Sequence, residues 1–411
     1  MVRVSRSASF LVVITAAAAV AACNAGGSVH EASARASAGG FGKPVNVGPG
    51  LVDASVRQVV RTPRQRVWIF AADDTAFLQD IGPGVIRAWR ATTTGIPFDF
   101  KEADGKHRPR SSFGHVLTSP DVRLDGKGIA RMIYVNAANA KLVYRTFSTK
   151  TGRWGVAATV AENATTPDES GIPRGQTACT LVLDRHGRPQ VVFMQGANVR
   201  YVHLTGSGWT KPVTIATGAA PIHPQLATES SGGLSLAWLD QGTPSIMYAR
   251  KPPGGSWGSP EVVDDTEVRA NDTLDQGPSV VVAGGIPSVL YIDNNDFVQV
   301  QRRIMGTWED WSPSSLYAHT PQIYQRGKGL YAFLGHDIDI HYGYARRLAG
   351  QSTWTYSALT GNKFGTPDGS ASVRWDPLHE TNSHVIDTTF FDENFSGDFD
   401  PRLYYMAVKP S

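Results

Sequence analysis

The chain has 411 residues, 41% of them hydrophobic and 18% charged, which is enough apolar material for a large folded core. Its formal charge of +3 falls to about +1 once Arg3 and Arg6 are set aside with the leader, and no dense lysine or arginine stripe is present, which excludes nucleic acid as a partner. Two cysteines, Cys23 and Cys179, are too few for a disulfide framework.

The chain opens with a basic start, Arg3 and Arg6, and an apolar run from Phe10 to Ala22. That run, about 13 residues, falls short of the roughly 20 that a helix needs to span the hydrocarbon core, so it reads as an export signal and not as an anchor. Val20-Ala21-Ala22-Cys23 resembles the bacterial lipobox. The resemblance implies that residues 1–22 are removed and that Cys23 is lipidated, with the lipid as the only link to the membrane; the other reading is an ordinary secretory signal. The following segment, 23–40, is rich in Gly, Ala and Ser and reads as a flexible tether. Residues 41–411 show no second linker and read as one domain.

Within that domain a unit of four short apolar segments recurs. The clearest copy runs Thr180-Leu181-Val182-Leu183, Pro189-Gln190-Val191-Val192-Phe193, Asn198-Val199-Arg200-Tyr201-Val202 and Trp209-Thr210-Lys211-Pro212-Val213. The next repeats the order with Pro224-Gln225-Leu226, Leu234 to Trp238, Ile246 to Arg250 and Trp257. Further copies are anchored by Pro120 and Trp154, by Pro278 and Trp308, and by Pro321 and Trp354; Val67-Trp68-Ile69-Phe70 marks a weaker first unit, and Ser372 to Tyr405 a last one. Alternating apolar positions with β-branched and aromatic residues predict strands throughout, and a period of about 40 to 50 residues points to a propeller or a solenoid, the expected form being a β-propeller of seven four-stranded blades and the alternative an open solenoid. The last unit lacks its Trp-bearing outer strand, whereas Phe41-Gly42-Lys43-Pro44-Val45-Asn46-Val47 matches Trp209-Thr210-Lys211-Pro212-Val213-Thr214-Ile215. The N-terminal strand is therefore expected to complete the last blade and remove an open sheet edge. Cys179 lies in an apolar strand and reads as a small buried hydrophobe.

An inner strand, a Gly-x-Pro turn into an apolar strand, a Tyr-bearing third strand and a Trp-bearing outer strand together resemble the bacterial-neuraminidase-repeat, or sialidase-like, propeller superfamily. The resemblance covers nearly all of residues 41–411 and implies a fold that hosts hydrolases, lyases and binding modules alike. The chain departs from the pattern where activity is concerned: it has no Ser-x-Asp-x-Gly-x-x-Trp box, and no arginine triad can be assigned. The repeated tyrosines (Tyr144, Tyr201, Tyr248, Tyr344, Tyr405) and tryptophans occupy equivalent positions, which predicts packing between blades.

By analogy with other propellers, chemistry is expected where inner strands begin and second strands end. This gathers His223, His319, Gln276 and Arg374 with Asp240, Asp293, His336, Asp392 and Glu393. Such a set suits hydrogen bonding to a polyhydroxylated ligand. Asp240, Asp293, Asp392, Glu393 and Arg374 are the candidates for acid, base or carboxylate-binding work on a polysaccharide. The same residue types also serve tight turns. No cofactor is predicted, although Asp337, Asp339 and His341 would share one face of a strand, and the acidic loop Asp392-Glu393-Asn394 to Asp400 offers oxygen ligands of the kind calcium takes. The expected function is glycan binding by a monomeric, lipid-anchored protein of the bacterial cell envelope; the alternatives are a glycoside hydrolase or lyase, and a scaffold for envelope proteins.

Overall fold

The computed structural model describes residues 45–49, 57–62, 64, 67–73, 85–91, 120–136, 139–165, 178–218, 220–266, 268, 277–295, 297–313, 316, 319–326, 329–335, 343–358, 386–392 and 402–408. Strands β1 (Val45–Pro49), β2 (Arg57–Arg61), β3 (Val67–Asp73) and β4 (Val85–Ala91) come first, and β2–β4 form blade 1. Blade 2 comprises β5 (Asp121–Leu124), β6 (Ile129–Asn136), β7 (Lys141–Ser148), β8 (Arg153–Trp154) and β9 (Ala158–Ala161). Blade 3 repeats this with β10 (Cys179–Leu183), β11 (Pro189–Gln195), β12 (Asn198–Thr205), β13 (Gly208–Trp209) and β14 (Val213–Thr217). Blade 4 is β15 (Pro221–Thr228), β16 (Leu234–Asp240), β17 (Ser245–Lys251) and β18 (Glu261–Asp264); blade 5 is β19 (Ser279–Ala283), β20 (Ile286–Ile292), β21 (Val298–Ile304) and β22 (Thr307–Asp310). Blade 6 is β23 (His319–Arg326), β24 (Gly329–Gly335), β25 (Gly343–Arg347) and β26 (Thr355–Ala358), and β27 (Ile386–Asp392) and β28 (Arg402–Val408) belong to blade 7.

The described residues thus form seven antiparallel sheets and contain no helix: the protein is a β-propeller. From β2 to β23 each inner strand neighbours the inner strand of the next blade, and β27 lies beside β2. The closing strand is where the repeat places it. Val45 of β1 pairs with Tyr405 of β28, just as Val213 pairs with Tyr201, Ala158 with Tyr144 and Glu261 with Tyr248.

Burial on both faces of blades 3 and 4 explains the long apolar runs of β11 and β16, whose side chains alternate between two neighbouring cores. Leu181, Leu183, Val191 and Phe193 pack toward blade 2 with Ile133, Val135 and Leu142. Their neighbours in sequence, Val182, Val192 and Met194, pack toward blade 4 with Leu226, Leu236 and Trp238. Cys179 is fully buried in the first of these cores, as its strand implied. The repeated aromatics rivet one blade to the next through edge-to-face pairs: Tyr144 with Trp209, Tyr201 with Trp257 and Tyr248 with Trp308, at 5.2, 5.4 and 5.1 Å between centroids. Such pairs contribute about 1 kcal/mol each beyond burial.

Candidate functional site

Two ends of the blades concern function: the entry end, where inner strands begin and second strands finish, and the turn end, where an inner strand turns into the second. Among the sequence-predicted residues at the entry end, His223, Asp240 and Asp293 are described in full, and each is buried. Backbone pairing alone is described for His319 and Asp392, whereas Gln276, His336, Arg374 and Glu393 lie outside the described residues, as do Cys23, Asp337, Asp339, His341 and Asp400.

His223 sits in a bulge, where it and Pro224 together face the one residue Trp238. Its φ of 50° is a left-handed conformation that histidine tolerates better than most side chains. The ring turns toward the entrance of blade 5, so tightly that a Cβ on Gly277 would lie 2.2 Å from His223 Cβ. Burial pushes the imidazole down to about 4, so it is neutral at physiological pH. A similar bulge lies in β23, where the registers place the two histidines at neighbouring and not identical ladder positions. Gln225 pairs with Ala237 and Ile222 with Leu239, while Gln322 pairs with Phe333 and His319 with Gly335. His319 therefore holds the ladder position of Ile222, and Thr320 that of His223.

The two described carboxylates organise entry loops. Asp240 accepts the Ala220 N–H at 2.7 Å, and a Cβ on Gly218 would come within 2.4 Å of its Oδ2. Asp293 accepts the N–H groups of Asn295 and Phe297 at 2.8 and 2.9 Å through Oδ1, and Gln299 Nε2 at 2.7 Å through Oδ2. Among the described residues, no group of three or more His, Cys, Asp or Glu side chains gathers to hold a metal ion.

The turn end carries a feature that sequence reasoning missed. Three inner strands finish on an acidic residue whose carbonyl accepts the N–H of a glycine three residues on: Asp125 and Gly128, Asp184 and Gly187, Glu229 and Gly232. These glycines have φ values of 79°, 71° and 88°, which the tight turn requires. Six residues after the acid, a second-strand side chain meets the third-strand tyrosine hydroxyl. Arg131 donates to Tyr144 at 2.8 Å, Ser235 bonds Tyr248 at 2.8 Å, and Gln190 accepts from Tyr201.

In blade 2 that side chain is an arginine, which also bonds Asp125 and occupies the space between them. Blade 3 has the shorter Gln190 instead, and its turn cation, Arg188, folds back onto Asp184 at 2.8 Å. Between the turn ends of blades 3 and 4 lies a cavity of about 280 Å3, lined by Asp184, Arg185, His186, Arg188, Gln190, Tyr201 and His203 on one side. Thr228, Ser231, Leu234, Lys251 and Gly254 line the other side. His203 lies nearly flat on Tyr201, with 22° between the planes and 5.4 Å between centroids, and so extends an aromatic surface along the cavity. Burial disfavours a charge on Asp184, but bonds from Arg188 and His186 outweigh it and hold the carboxyl below its ordinary value. Burial, and then the charges of Lys251 and Arg188, push His203 below its ordinary value against the pull of Asp184. Burial also lowers Lys251. The cavity thus offers what a small polar ligand requires: an aromatic surface, an apolar base at Leu234, and donors and acceptors from two sheets. The sequence signal for it was the recurring acid-x-x-Gly turn, together with the change from Arg131 to Gln190 at equivalent places.

No family model and no curated protein matches this chain. Among solved structures, the chain is similar to the BP39L lectin from Burkholderia pseudomallei, with a TM-score of 0.62 at 13% identity over 86% of this chain and 96% of that one. Looser overlaps include AofleA from Arthrobotrys oligospora (TM-score 0.46, 12% identity, 78% and 90% covered) and the polysaccharide lyase Uly1 (0.46, 11%, 89% and 90%). The likeness to the lectin establishes the propeller fold; it does not single out the sialidase-like superfamily.

Proposed function

We propose that the protein is a glycan-binding propeller held at the bacterial cell envelope by a lipid on Cys23, and that it takes its ligand in the cavity between blades 3 and 4. The observation that carries the proposal is the cavity itself: His203, stacked on the buried Tyr201, offers an aromatic face beside Gln190, Asp184, Arg188 and Lys251. A sugar ring has apolar faces and a hydroxylated rim, and this combination of aromatic surface and converging polar groups complements both. The fold shared with a lectin supports a carbohydrate ligand.

Binding is favoured over catalysis by the state of the described carboxylates. Glycosidic cleavage calls for a proton-donating acid and a second carboxylate on either side of the scissile bond. Asp293 instead spends both oxygens on entry-loop N–H groups and Gln299, Asp240 spends Oδ1 on the Ala220 N–H, and Asp184 is held by its own turn and Arg188.

The test is a glycan array probed with the full chain, every spot then being analysed by mass spectrometry. Retention of intact glycan is the expected result. Shortened glycans would replace the binding reading with an enzymatic one, and an empty array would favour the scaffold. Lipid attachment is tested separately by Cys23→Ser, which should abolish incorporation of labelled fatty acid and release the protein from the membrane fraction.

A further inference from the structure

We infer that the cavity between blades 3 and 4 selects saccharides bearing an anionic group, a uronate carboxylate or a sulfate ester, with Lys251 as the residue that reads the charge. The inference rests on the glycan reading above and adds the chemical class of the sugar.

Three acids at the turn ends are already matched by cations. In blade 2 Arg131 meets Asp125 at 2.9 Å. In blade 4 Arg250 clasps Glu229 through two bonds of 2.7 and 2.6 Å. In blade 3 Arg188 meets Asp184, whose other oxygen accepts the N–H groups of His186 and Arg188. Each of these three acids is matched by one arginine.

Lys251 is the cation left over. It follows Arg250 on β17, so strand alternation sends the two side chains to opposite faces of blade 4, and that of Lys251 borders the cavity shared with blade 3. Among the described residues it makes no ion pair, and Asp184 is the only carboxylate lining the cavity. Arg185, which donates to His186 Nε2 at 3.2 Å, adds a second unmatched positive charge to the same rim. Lys251 and Arg188 both line the cavity with His203, and their charges oppose its protonation. A neutral sugar would leave that positive potential uncompensated, whereas a carboxylate or sulfate seated at Lys251, with its ring along His203, would satisfy it.

The experiment titrates the full chain, purified in detergent at low salt and neutral pH, with trigalacturonate, its methyl ester, galactose 6-sulfate and galactose. The ester keeps the shape of the acid and removes its charge. The account expects the acid to bind at least tenfold more tightly than the ester, as a charge-assisted bond in a half-enclosed site gives about that factor. Preference for galactose 6-sulfate over galactose would extend the class to sulfate esters; preference for the uronate alone would confine it to carboxylates. Lys251→Gln should remove most of the discrimination between acid and ester while the thermal melting transition stays unchanged. Equal binding of acid and ester, or a preference that survives Lys251→Gln, would overturn the inference and leave glycan binding standing. Absence of binding by every saccharide would overturn the glycan reading itself.

Discussion

The buried His223 makes the fold sensitive to acid in a way that can be calculated and removed. In the folded chain burial holds its imidazole at about 4, against 6.5 for an unperturbed histidine. Below pH 6.5 the unfolded chain therefore takes up a proton that the folded chain refuses, so stability falls as the pH falls, and the loss levels off once the pH drops below about 4. A separation of about 2.5 pKa units corresponds to about 3 kcal/mol at its limit, and the linkage relation gives about 2 kcal/mol between pH 7 and pH 5. His223→Asn is the suitable perturbation, because asparagine also tolerates the φ of 50° and does not titrate. The assay is equilibrium urea unfolding of both proteins at pH 7 and pH 5, the difference between them cancelling the titration of all other groups. Wild type should lose about 2 kcal/mol more than the variant over that interval. Parallel losses in the two proteins would refute the reasoning, since they would mean that His223 reaches a proton in the folded state as readily as in the unfolded one.

Two further consequences follow from the fold. Removing residues 41–49 deletes β1 and leaves β28 without its partner, so the melting transition should fall by many degrees and the chain should become prone to association through the exposed edge of β28; an unchanged transition would contradict the pairing of Val45 with Tyr405. Gly277→Ala would place a Cβ 2.2 Å from His223 Cβ and 2.6 Å from its Cγ, so it should cost about 1–3 kcal/mol as overpacking, and part of that cost should vanish in a His223→Gly background, which has neither atom, a coupling readable in a double-mutant cycle.

Much of the architecture was legible because propeller strands are buried on both faces and their turns demand fixed residues. The Tyr and Trp positions marked blade interfaces, and the match between residues 41–47 and 209–215 located the closing strand, with Val45 and Val213 in equivalent pairs. The site was less legible. His223 and His319 stand near the same Pro-Gln pair, yet Thr320 sets His319 one ladder position further from its pair, and counting back from Gln225 and Gln322 would have shown this. The cavity was hidden for a different reason. It arises from a difference in side-chain volume, Gln190 against Arg131, at an interface between two sheets, and its charges come from turns whose residues read as solvent-facing loop. Neither the gap nor the absence of an acid opposite Lys251 is a property of any one segment.

The most direct test of glycan binding between blades 3 and 4 is a crystal structure of the chain with the tightest-binding glycan from the array. The account predicts a sugar ring along His203, within hydrogen-bonding reach of Lys251 and Gln190, in the cavity closed by Ser231 and Gly254. A glycan bound instead at the entry end, beside His223 and Asp240, would contradict it.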